Sequence, residues 1–299
     1  MTPTSADPPE GRVLDHTEPG PTVSRMLVGA ELRRLRTARG ITREAAGLAI
    51  RASHSKISRL ELGRTGFKRR DVSDLLTLYG VDDAAERQIV LDMVDQANAP
   101  GWWRAYADVV PDWLEACLGL EHGASVIRNF EVQFVPGLLQ TETYARAILR
   151  LTHPNEPRAV LERRVALRMR RQDILHRTDP PHLWVVIDEA GLRRSIGDPA
   201  TMRDQLDHLI QAARLPHVNL QVLPLSAGGH AALGGAITLL RFPEGEVPDV
   251  VYLEQLISAV YLDKPAEVEH YRHVLNRLVA VAQSPDAAEA TVRSIRDTT

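Results

Sequence analysis

Residues 42–63, TREAAGLAIRASHSKISRLELG, constrain this chain more than any other stretch, because they predict two short helices joined by a tight turn. Thr42 is a favoured N-cap residue, and good helix formers follow it. Ala46, Ala49 and Ile50 recur at helical spacing, which predicts one apolar face for the first helix.

The second helix is predicted over residues 54–62. Ser53 is its expected N-cap and Gly63 its expected stop. Ile57 and Leu60 lie three positions apart and are expected to face inward. The outward side chains are small, polar or basic: His54, Ser55, Lys56, Ser58 and Arg59. A helix with such a face is suited to lie in the major groove of DNA.

Charge is distributed unevenly along the chain. Residues 29–70 hold 12 Lys/Arg and 3 Asp/Glu, a net charge of +9, although the whole chain carries −3. A basic patch on an acidic protein is typical of a nucleic-acid site, and binding there should weaken as salt rises. A merely solvated basic surface is the alternative, but the caps, the spacing and the charge together favour the DNA site.

The runs LRRLRTARG and SHSKISRLELG resemble the XRE/Cro class of helix-turn-helix repressors, in the version common among actinobacterial regulators. The resemblance implies a bundle of four to five helices over about residues 28–79, with the helix that follows Ser53 as the recognition helix. It further implies a homodimer that binds double-stranded DNA at a roughly palindromic site.

Position by position, the resemblance predicts base-edge contacts at three residues: His54, Ser55 and Arg59. It predicts phosphate contacts at five others: Thr42, Arg43, Lys56, Ser58 and Arg64. Ser53, the N-cap, completes the predicted DNA-binding set. Two roles stay open for Arg59, a bidentate contact with guanine or a contact with phosphate alone.

Four other residues in and near the stretch also carry an expectation. Arg36 and Glu61 match a pair that forms a structural ion pair in several such repressors, so Glu61 is not expected to be a functional acid. Arg51 departs from the glycine that many members carry in the turn. Gly47 costs about 1 kcal/mol against alanine inside a helix, which suggests that another helix passes very close to it.

Composition shifts predict the domain organisation. Residues 1–24, rich in Pro, Gly, Ser and acid, are expected to be a disordered tail. Residues 25–98 are the predicted helix-turn-helix domain, and 99–111 are a linker. The aromatic residues around this linker favour inter-domain packing over a ligand cage. Residues 112–299 are predicted to be an α+β domain that senses a ligand or binds a partner.

Within the second domain, the pattern predicts a helix over residues 112–130, a helix capped by Thr141 and a long basic helix over about 157–177. The basic helix could make a second contact with DNA. We prefer the alternative, in which it is exposed to solvent or forms a subunit interface. HLWVVIDEA is read as the first strand. VNLQVLPL, GGAITLLRF, DVVYLEQ and ISAVYLD follow, for four to five strands in all.

This second region resembles the C-terminal domain of WhiJ-like, antitoxin-like actinobacterial regulators. The resemblance rests on FEVQFVPGLLQTETYARAIL, RRQDIL, VVIDEAGLRR, QVLPLSAGGH and VVYLEQ, in that order. It implies transcriptional control and a small partner protein.

Few residues are candidates for catalysis or for binding a metal or a ligand. Cys117 is the single cysteine, so an internal disulfide is excluded, and the metal-binding, nucleotide-binding and hydrolase motifs are missing. No cofactor, metal or catalytic residue is therefore expected. Four polar residues at strand ends and in a Gly-rich loop could line a pocket for a small polar or cationic effector: Asp188, Glu189, His230 and Glu254. In the alternative, Asp188 and Glu189 cap the next turn and His230 is a loop residue.

Three functions remain to be weighed. The leading hypothesis is a sequence-specific, DNA-binding transcriptional regulator that is not an enzyme. The second is an antitoxin-like interaction module in which DNA binding is secondary, and the third is an enzyme that retains a helix-turn-helix. No secretory signal or apolar run long enough for a bilayer is visible, which predicts a cytoplasmic, nucleoid-associated protein.

Overall fold

The computed structural model describes residues 21–232, 234–243 and 247–299. Its N-terminal part is helical: α1 (Pro21–Ala38), α2 (Arg43–Ala49), α3 (His54–Glu61), α4 (Arg69–Leu78) and α5 (Ala84–Asn98). The core that these helices share includes Val28, Leu32, Ile57, Leu60 and Leu76, all buried. The sequence predicted this helical bundle, and the part of the chain after it is α+β, also as predicted.

Helix α1 begins earlier than the sequence indicated. It starts at Pro21, so residues 21–24 are helical, although they were expected to belong to a disordered tail. Val23 is buried with the core of the C-terminal part, and Met26 and Leu27 pack against the same core. That burial stabilises the additional turn, and α1 therefore belongs to two cores at once. The rest of the predicted tail, residues 1–20, lies outside the described residues.

The segment predicted to be a linker is packed onto the C-terminal part. A 3-10 helix spans Trp102–Tyr106, and Trp103 is buried against Leu118 and Leu167. The Trp103 indole Nε1 donates to Glu115 Oε1 at 3.2 Å. The aromatic residues are thus packing residues, which matches the preferred interpretation and not a ligand cage.

The helix expected over residues 112–130 is wrong in its second half. Helix α6 (Asp112–Gly123) ends after Gly123, and strand β1 (Val126–Glu131) follows. Strand β1 pairs with a neighbour on each side, so its backbone N–H and C=O groups are hydrogen-bonded to two strands that lie far away in the sequence. The first strand of the sheet is therefore β1.

The remaining elements run in this order: α7 (Glu142–Thr152), α8 (Arg158–Arg171), β2 (His182–Asp188), α9 (Glu189–Arg193), α10 (Pro199–Ala212), β3 (Val218–Leu223), β4 (Ile237–Arg241), β5 (Val250–Glu254), β6 (Ala259–Leu262), α11 (Pro265–Val281) and α12 (Pro285–Asp297). The long basic helix predicted to about residue 177 ends as α8 at Arg171, and a 3-10 helix, Gln172–His176, continues it.

The sheet of the described residues has six strands in the order β3-β2-β1-β4-β5-β6, one or two more than predicted. Strands β1, β2 and β3 are parallel, and β4, β5 and β6 join them as an antiparallel meander. One face, here the α10 face, buries Ile127 and Ile187 under α10 and α12. The opposite face, the α11 face, buries Phe130 and Val186 under α11.

Among the described residues, no helix is long and apolar enough to cross a membrane.

Candidate nucleic-acid interface

The two short helices are capped as the sequence predicted. Thr42 Oγ1 accepts from the backbone N–H of Ala45 at 3.2 Å, and Ser53 Oγ accepts from that of Lys56 at 3.2 Å. Each cap satisfies a backbone donor that the first turn of a helix leaves free. Both helices therefore begin at the residues that the sequence predicted.

The turn between α2 and α3 places Arg51 in the left-handed region, with φ of 54°. This is the position at which the resemblance led us to expect glycine, and the left-handed conformation costs a residue with a side chain on the order of 1 kcal/mol. Gly47 is needed for a different reason from the one expected. A Cβ on Gly47 would lie 2.5 Å from the carbonyl oxygen of Ala52, so the turn itself, and not another helix, passes close to it.

At its end, α3 is closed by Gly63, with φ of +64°. The backbone N–H of Gly63 donates to Leu60 O at 3.0 Å, and that of Arg64 donates to Arg59 O at 2.9 Å. This is the Schellman pattern that a C′ glycine supports. A Cβ on Gly63 would also lie 2.7 Å from the Met26 backbone nitrogen, so α1 is in tight contact with the end of α3.

The outer face of α3 is open to solvent. His54, Ser55 and Arg59 are exposed, while Ile57 and Leu60 behind them are buried. Ser55 Oγ lies 3.4 Å from His54 Nε2. In the part of the chain that the structure describes, no carboxylate pairs with Arg59. Its guanidinium is therefore available to a base edge or a phosphate.

Three of the predicted phosphate-binding cations already have acidic partners. Lys56 Nζ lies 2.6 Å from Asp71 Oδ2, at the start of α4. Arg43 Nε lies 3.0 Å from Glu61 Oε2. Arg64 Nη2 lies 3.4 Å from Asp263 Oδ2, just after β6. Thr42 and Ser58 lie beside these cations, at the start of α2 and on α3.

Glu61 is a buried carboxylate that forms ion pairs with two arginines of the bundle. Its side chain is 2 % exposed, and it accepts from Arg36 Nε at 2.5 Å and from Arg36 Nη2 at 3.2 Å, in addition to Arg43. The Arg36 Nη1 group donates to Ile41 O, so the guanidinium also holds the loop before α2. The hydrogen bonds that Arg36 donates to the Glu61 carboxylate raise the pKa of Arg36. Burial, aided by Glu61, raises the pKa of nearby Tyr79 to about 12.

The four residues predicted to line one pocket are not brought together. Asp188 Oδ1 accepts from the Ala190 N–H as the N-cap of α9, and Glu189 Oε2 accepts from the Leu225 N–H at 2.9 Å. The latter bond lowers the pKa of Glu189. His230 Nε2 lies 4.0 Å from Asp188 Oδ2 and stacks edge-on against Phe130, on the α11 face.

Glu254 lies on the other face of the sheet. Leu253 packs into the cluster under α11, and side chains alternate along a strand, so Glu254 faces the α10 side. Its Oε2 accepts from Tyr252 Oη at 2.9 Å. The predicted pocket that joins Asp188 and Glu189 to Glu254 is therefore wrong. The contacts of Asp188 and Glu189 match the alternative, in which the two carboxylates cap the next turn.

Three arginines of α8 bind groups elsewhere in the fold. Arg163 binds Asp108 at 2.6 Å and the carbonyl of Ala105, and Arg164 binds Glu156 at 2.7 Å. Arg171 Nη2 lies 2.8 Å from Glu121 Oε2. These contacts tie α8 to the 3-10 segment and to α6. The basic run thus stabilises the fold, which disfavours a second DNA contact there.

Sequence reasoning missed Asp263 as a residue that bears on the interface. It lies 199 positions from Arg64, so no local pattern could link the two. It also missed the places of Asn129 and Glu131 on the central strand β1. Asn129 fell in the helix expected over residues 112–130 and Glu131 directly after it, so no place in the sheet was predicted for them.

Two known domain families match separate ranges of the chain. Residues 27–88 match the helix-turn-helix domain family, and residues 114–294 match the domain of unknown function (DUF5753). The chain belongs to the DUF5753 family. Its helix-turn-helix domain, with α2 and α3 as the two helices, makes this DUF5753 protein a DNA-binding regulator. No curated protein and no solved structure matches the chain.

Proposed function

We propose that this DUF5753 protein is a sequence-specific transcriptional regulator of the XRE/Cro class, which inserts α3 into the major groove. The exposed face of α3, with Arg59 unpaired and both helix ends capped, is the observation that carries the proposal. His54, Ser55 and Arg59 read base edges. Thr42, Arg43, Ser53, Lys56, Ser58 and Arg64 hold the backbone of the DNA.

The protein acts as a homodimer, with two α3 helices in successive major grooves about 34 Å apart. The DNA-binding domain, which we call the reader, comprises residues 25–98. Residues 112–299 receive the signal and have no catalytic activity. The actinobacterial, WhiJ-like resemblance supports this division. It also supports a nucleoid-associated, cytoplasmic protein.

Arg59→Ala is expected to weaken binding to the DNA upstream of the protein's own gene by about 10- to 100-fold and to reduce sequence preference, because a bidentate base contact contributes roughly 1–3 kcal/mol. Fluorescence anisotropy at two salt concentrations measures this. Wild-type affinity should fall by on the order of 10³–10⁵ between about 50 and 200 mM salt for a dimer with six to ten phosphate contacts.

Arg158→Ala is the matched control, because Arg158 is an exposed arginine on α8, away from the reader. It should bind as the wild type does. Unchanged affinity and sequence preference in Arg59→Ala would contradict the base-reading role. Salt-insensitive binding of the wild type would contradict the DNA site itself.

The C-terminal part is proposed to control the reader through two contacts. Helix α1 buries Val23 in one core and Val28 in the other, so a shift of α6 would be transmitted to α3. The Asp263 carboxylate binds Arg64, which is also a proposed phosphate contact. DNA and Asp263 therefore compete for the same cation.

Asp263→Asn is expected to strengthen DNA binding by about two- to fivefold, because an exposed ion pair contributes roughly 0.2–1 kcal/mol. The same substitution in an Arg64→Ala background should have no effect, which a double-mutant cycle measures. Glu267→Gln is the control, since Glu267 pairs with Lys264 near the same loop. An equal gain in both backgrounds would show that Asp263 does not act through Arg64.

A specific observation favours partner binding as the second function. Leu256 is 97 % exposed and Ile257 is 87 % exposed at the tip of the β5–β6 hairpin. Large apolar side chains in adjacent, fully open positions are typical of a contact surface. We therefore propose that the small partner protein of the antitoxin-like alternative binds this tip.

The double variant Leu256→Ser/Ile257→Ser tests this proposal. A small protein should co-purify with the wild type from the native host and be reduced at least about tenfold with the variant, because each buried side chain contributes roughly 1.5–3 kcal/mol. Leu151→Ser, an exposed leucine on α7, is the control. Equal recovery with the tip variant would exclude this surface.

A further inference from the structure

Strand β6 is an open edge of the sheet. The strand order places β3 at one edge and β6 at the other, and β6 pairs with β5 alone among the described strands. The edge at β3 is covered, because α12 packs against it and the backbone N–H of Gln283 donates to Val222 O at 2.8 Å. In the described part of the chain, no backbone hydrogen bond reaches β6 from an element other than β5.

The register of the β5–β6 hairpin shows which backbone groups of β6 point outwards. The N–H of Gln255 donates to Ser258 O at 2.9 Å, which closes the hairpin with a hydrogen-bonded pair. Hydrogen-bonded and non-hydrogen-bonded pairs alternate along an antiparallel ladder. The pairs that Ala259 and Tyr261 form with β5 are therefore non-hydrogen-bonded. The N–H and C=O groups of these two residues point away from β5.

The side chains of this edge do not protect it. Edge strands commonly carry charged residues or proline, which prevent pairing with another chain, and β6 (Ala259–Leu262) contains neither. Val260, inside the strand, is 46 % exposed, and the apolar side chains at the adjoining hairpin tip are more exposed still. An uncharged, open edge of this kind is a template for a further strand.

We propose that β6 pairs with β6 of a second copy of this chain, antiparallel and about a two-fold axis beside Val260. In this register Ala259 of each copy pairs with Tyr261 of the other, and their hydrogen bonds satisfy every outward N–H and C=O group of the two residues. The two Val260 side chains meet across the axis and bury apolar surface. The tip of each hairpin adjoins the pair, so a partner protein bound to the tip would compete with the second copy.

The distance between the two readers favours a second copy over another extended chain. Asp263, which binds Arg64 of the reader, lies three residues after Val260. In the two-fold pair the Asp263 residues of the two copies are about 20 Å apart, at roughly 3.4 Å per residue. Helix α3 has 8 residues and ends shortly before Arg64, so its centre lies about 10 Å from Arg64. Two such helices can reach the separation of about 34 Å that successive major grooves require. In this respect the inference rests on the proposed function.

Val260→Cys tests the register in the full chain without DNA. Residues of a non-hydrogen-bonded antiparallel pair have Cα atoms about 4.5 Å apart, which is within the range that a disulfide spans. Oxidation with diamide at micromolar protein concentration should therefore convert most of the variant into a covalent dimer on non-reducing gels. Cys117, the single native cysteine, is buried, so the wild type should not crosslink. Val281→Cys, at a valine of similar exposure on α11, is the control and should not crosslink either.

Sedimentation velocity of the reduced full chain measures the dimer itself, and the wild type should be dimeric at micromolar concentration. Ala259→Pro removes an outward N–H and no hydrogen bond to β5, and Val260→Lys places like charges opposite each other across the axis. Each should weaken the dimer about tenfold or more, because each copy loses a hydrogen bond or gains a repulsion at the interface. Val281→Lys should leave it unchanged. Circular dichroism melts verify that the variants are folded.

A monomeric wild type would overturn the proposal. So would a dimer that both β6 variants leave unchanged, or the absence of a disulfide in Val260→Cys. These experiments contain no DNA, and DNA binding by the face of α3 is measured separately with the Arg59→Ala variant. A regulator that fails here can therefore still bind its DNA, and the two failures are distinguishable.

Discussion

Glu61→Ala is expected to lower the free energy of unfolding by about 3–5 kcal/mol and to abolish DNA binding at physiological temperature. Removing one partner of a buried ion pair leaves the other charge unpaired, and that penalty is of this size. Here the stranded charge is Arg36, whose side chain is 12 % exposed. Arg43 also loses its partner, and the Arg36 guanidinium, which donates to Ile41 O in the loop before α2, is no longer held in place by Glu61.

Urea unfolding followed by circular dichroism measures the loss. Glu31→Ala is the matched control, because Glu31 binds Arg34 on the surface of α1, and its removal should change stability by less than about 1 kcal/mol. Glu61→Gln, which keeps the shape and two polar atoms, should lie between the two. If Glu61→Ala is as stable as Glu31→Ala, the pair does not hold the reader together.

Glu131→Gln is expected to stabilise the protein at alkaline pH by about 3 kcal/mol and to have little effect at acidic pH. The folded pKa of Glu131 is about 7, against an ordinary value of 4.5. Below about pH 4.5 the Glu131 carboxyl group is protonated in both the folded and the unfolded chain, so its burial does not lower the free energy of unfolding. Between about pH 4.5 and 7 the unfolded chain releases a proton that the folded chain retains, so stability falls as pH rises. Glutamine has no ionisable group, so the variant does not lose this stability as the pH rises.

Denaturant titrations at about pH 5 and pH 8 compare the variant with the wild type. Their difference in unfolding free energy should widen towards pH 8. Glu86→Gln is the control, since Glu86 is an exposed carboxylate on α5, in the other part of the chain. A difference that stays constant with pH would mean that Glu131 titrates normally and is not desolvated.

Local chemistry made the reader predictable. The caps at Thr42 and Ser53, the stop at Gly63 and the inward pair Ile57 and Leu60 all depend on residues within one or two turns of each other. Backbone donors, dihedral preferences and helical spacing act over that range, so a sequence can show them directly.

Strand β1 shows where this reasoning stops. Residues 126–131 place the polar Arg128, Asn129 and Glu131 among apolar side chains, so they show no clean alternation. What makes the segment a strand is pairing with β2 and β4, whose residues lie more than fifty positions away. The same distance hid the missed pairs, such as Arg64 with Asp263.

The predicted pocket failed for a related reason. Asp188 and Glu254 both end strands and are both acidic, and sequence alone placed them together. Alternation along each strand puts them on opposite faces of the sheet, which depends on register. Glu254 instead lies beside Glu131, and neither residue signals this in its own neighbourhood.

The sequence by itself determined the two capped helices, the basic reader, the order of five strands and the α+β class of the second part, because these follow from local backbone preferences and charge. Only the tertiary structure decided the central strand, the packing of α1 in two cores, the ion pair between Arg64 and Asp263 and the burial of Glu131. Each of these depends on which distant residues come within contact distance, and burial then sets whether a charge is paired, strained or free.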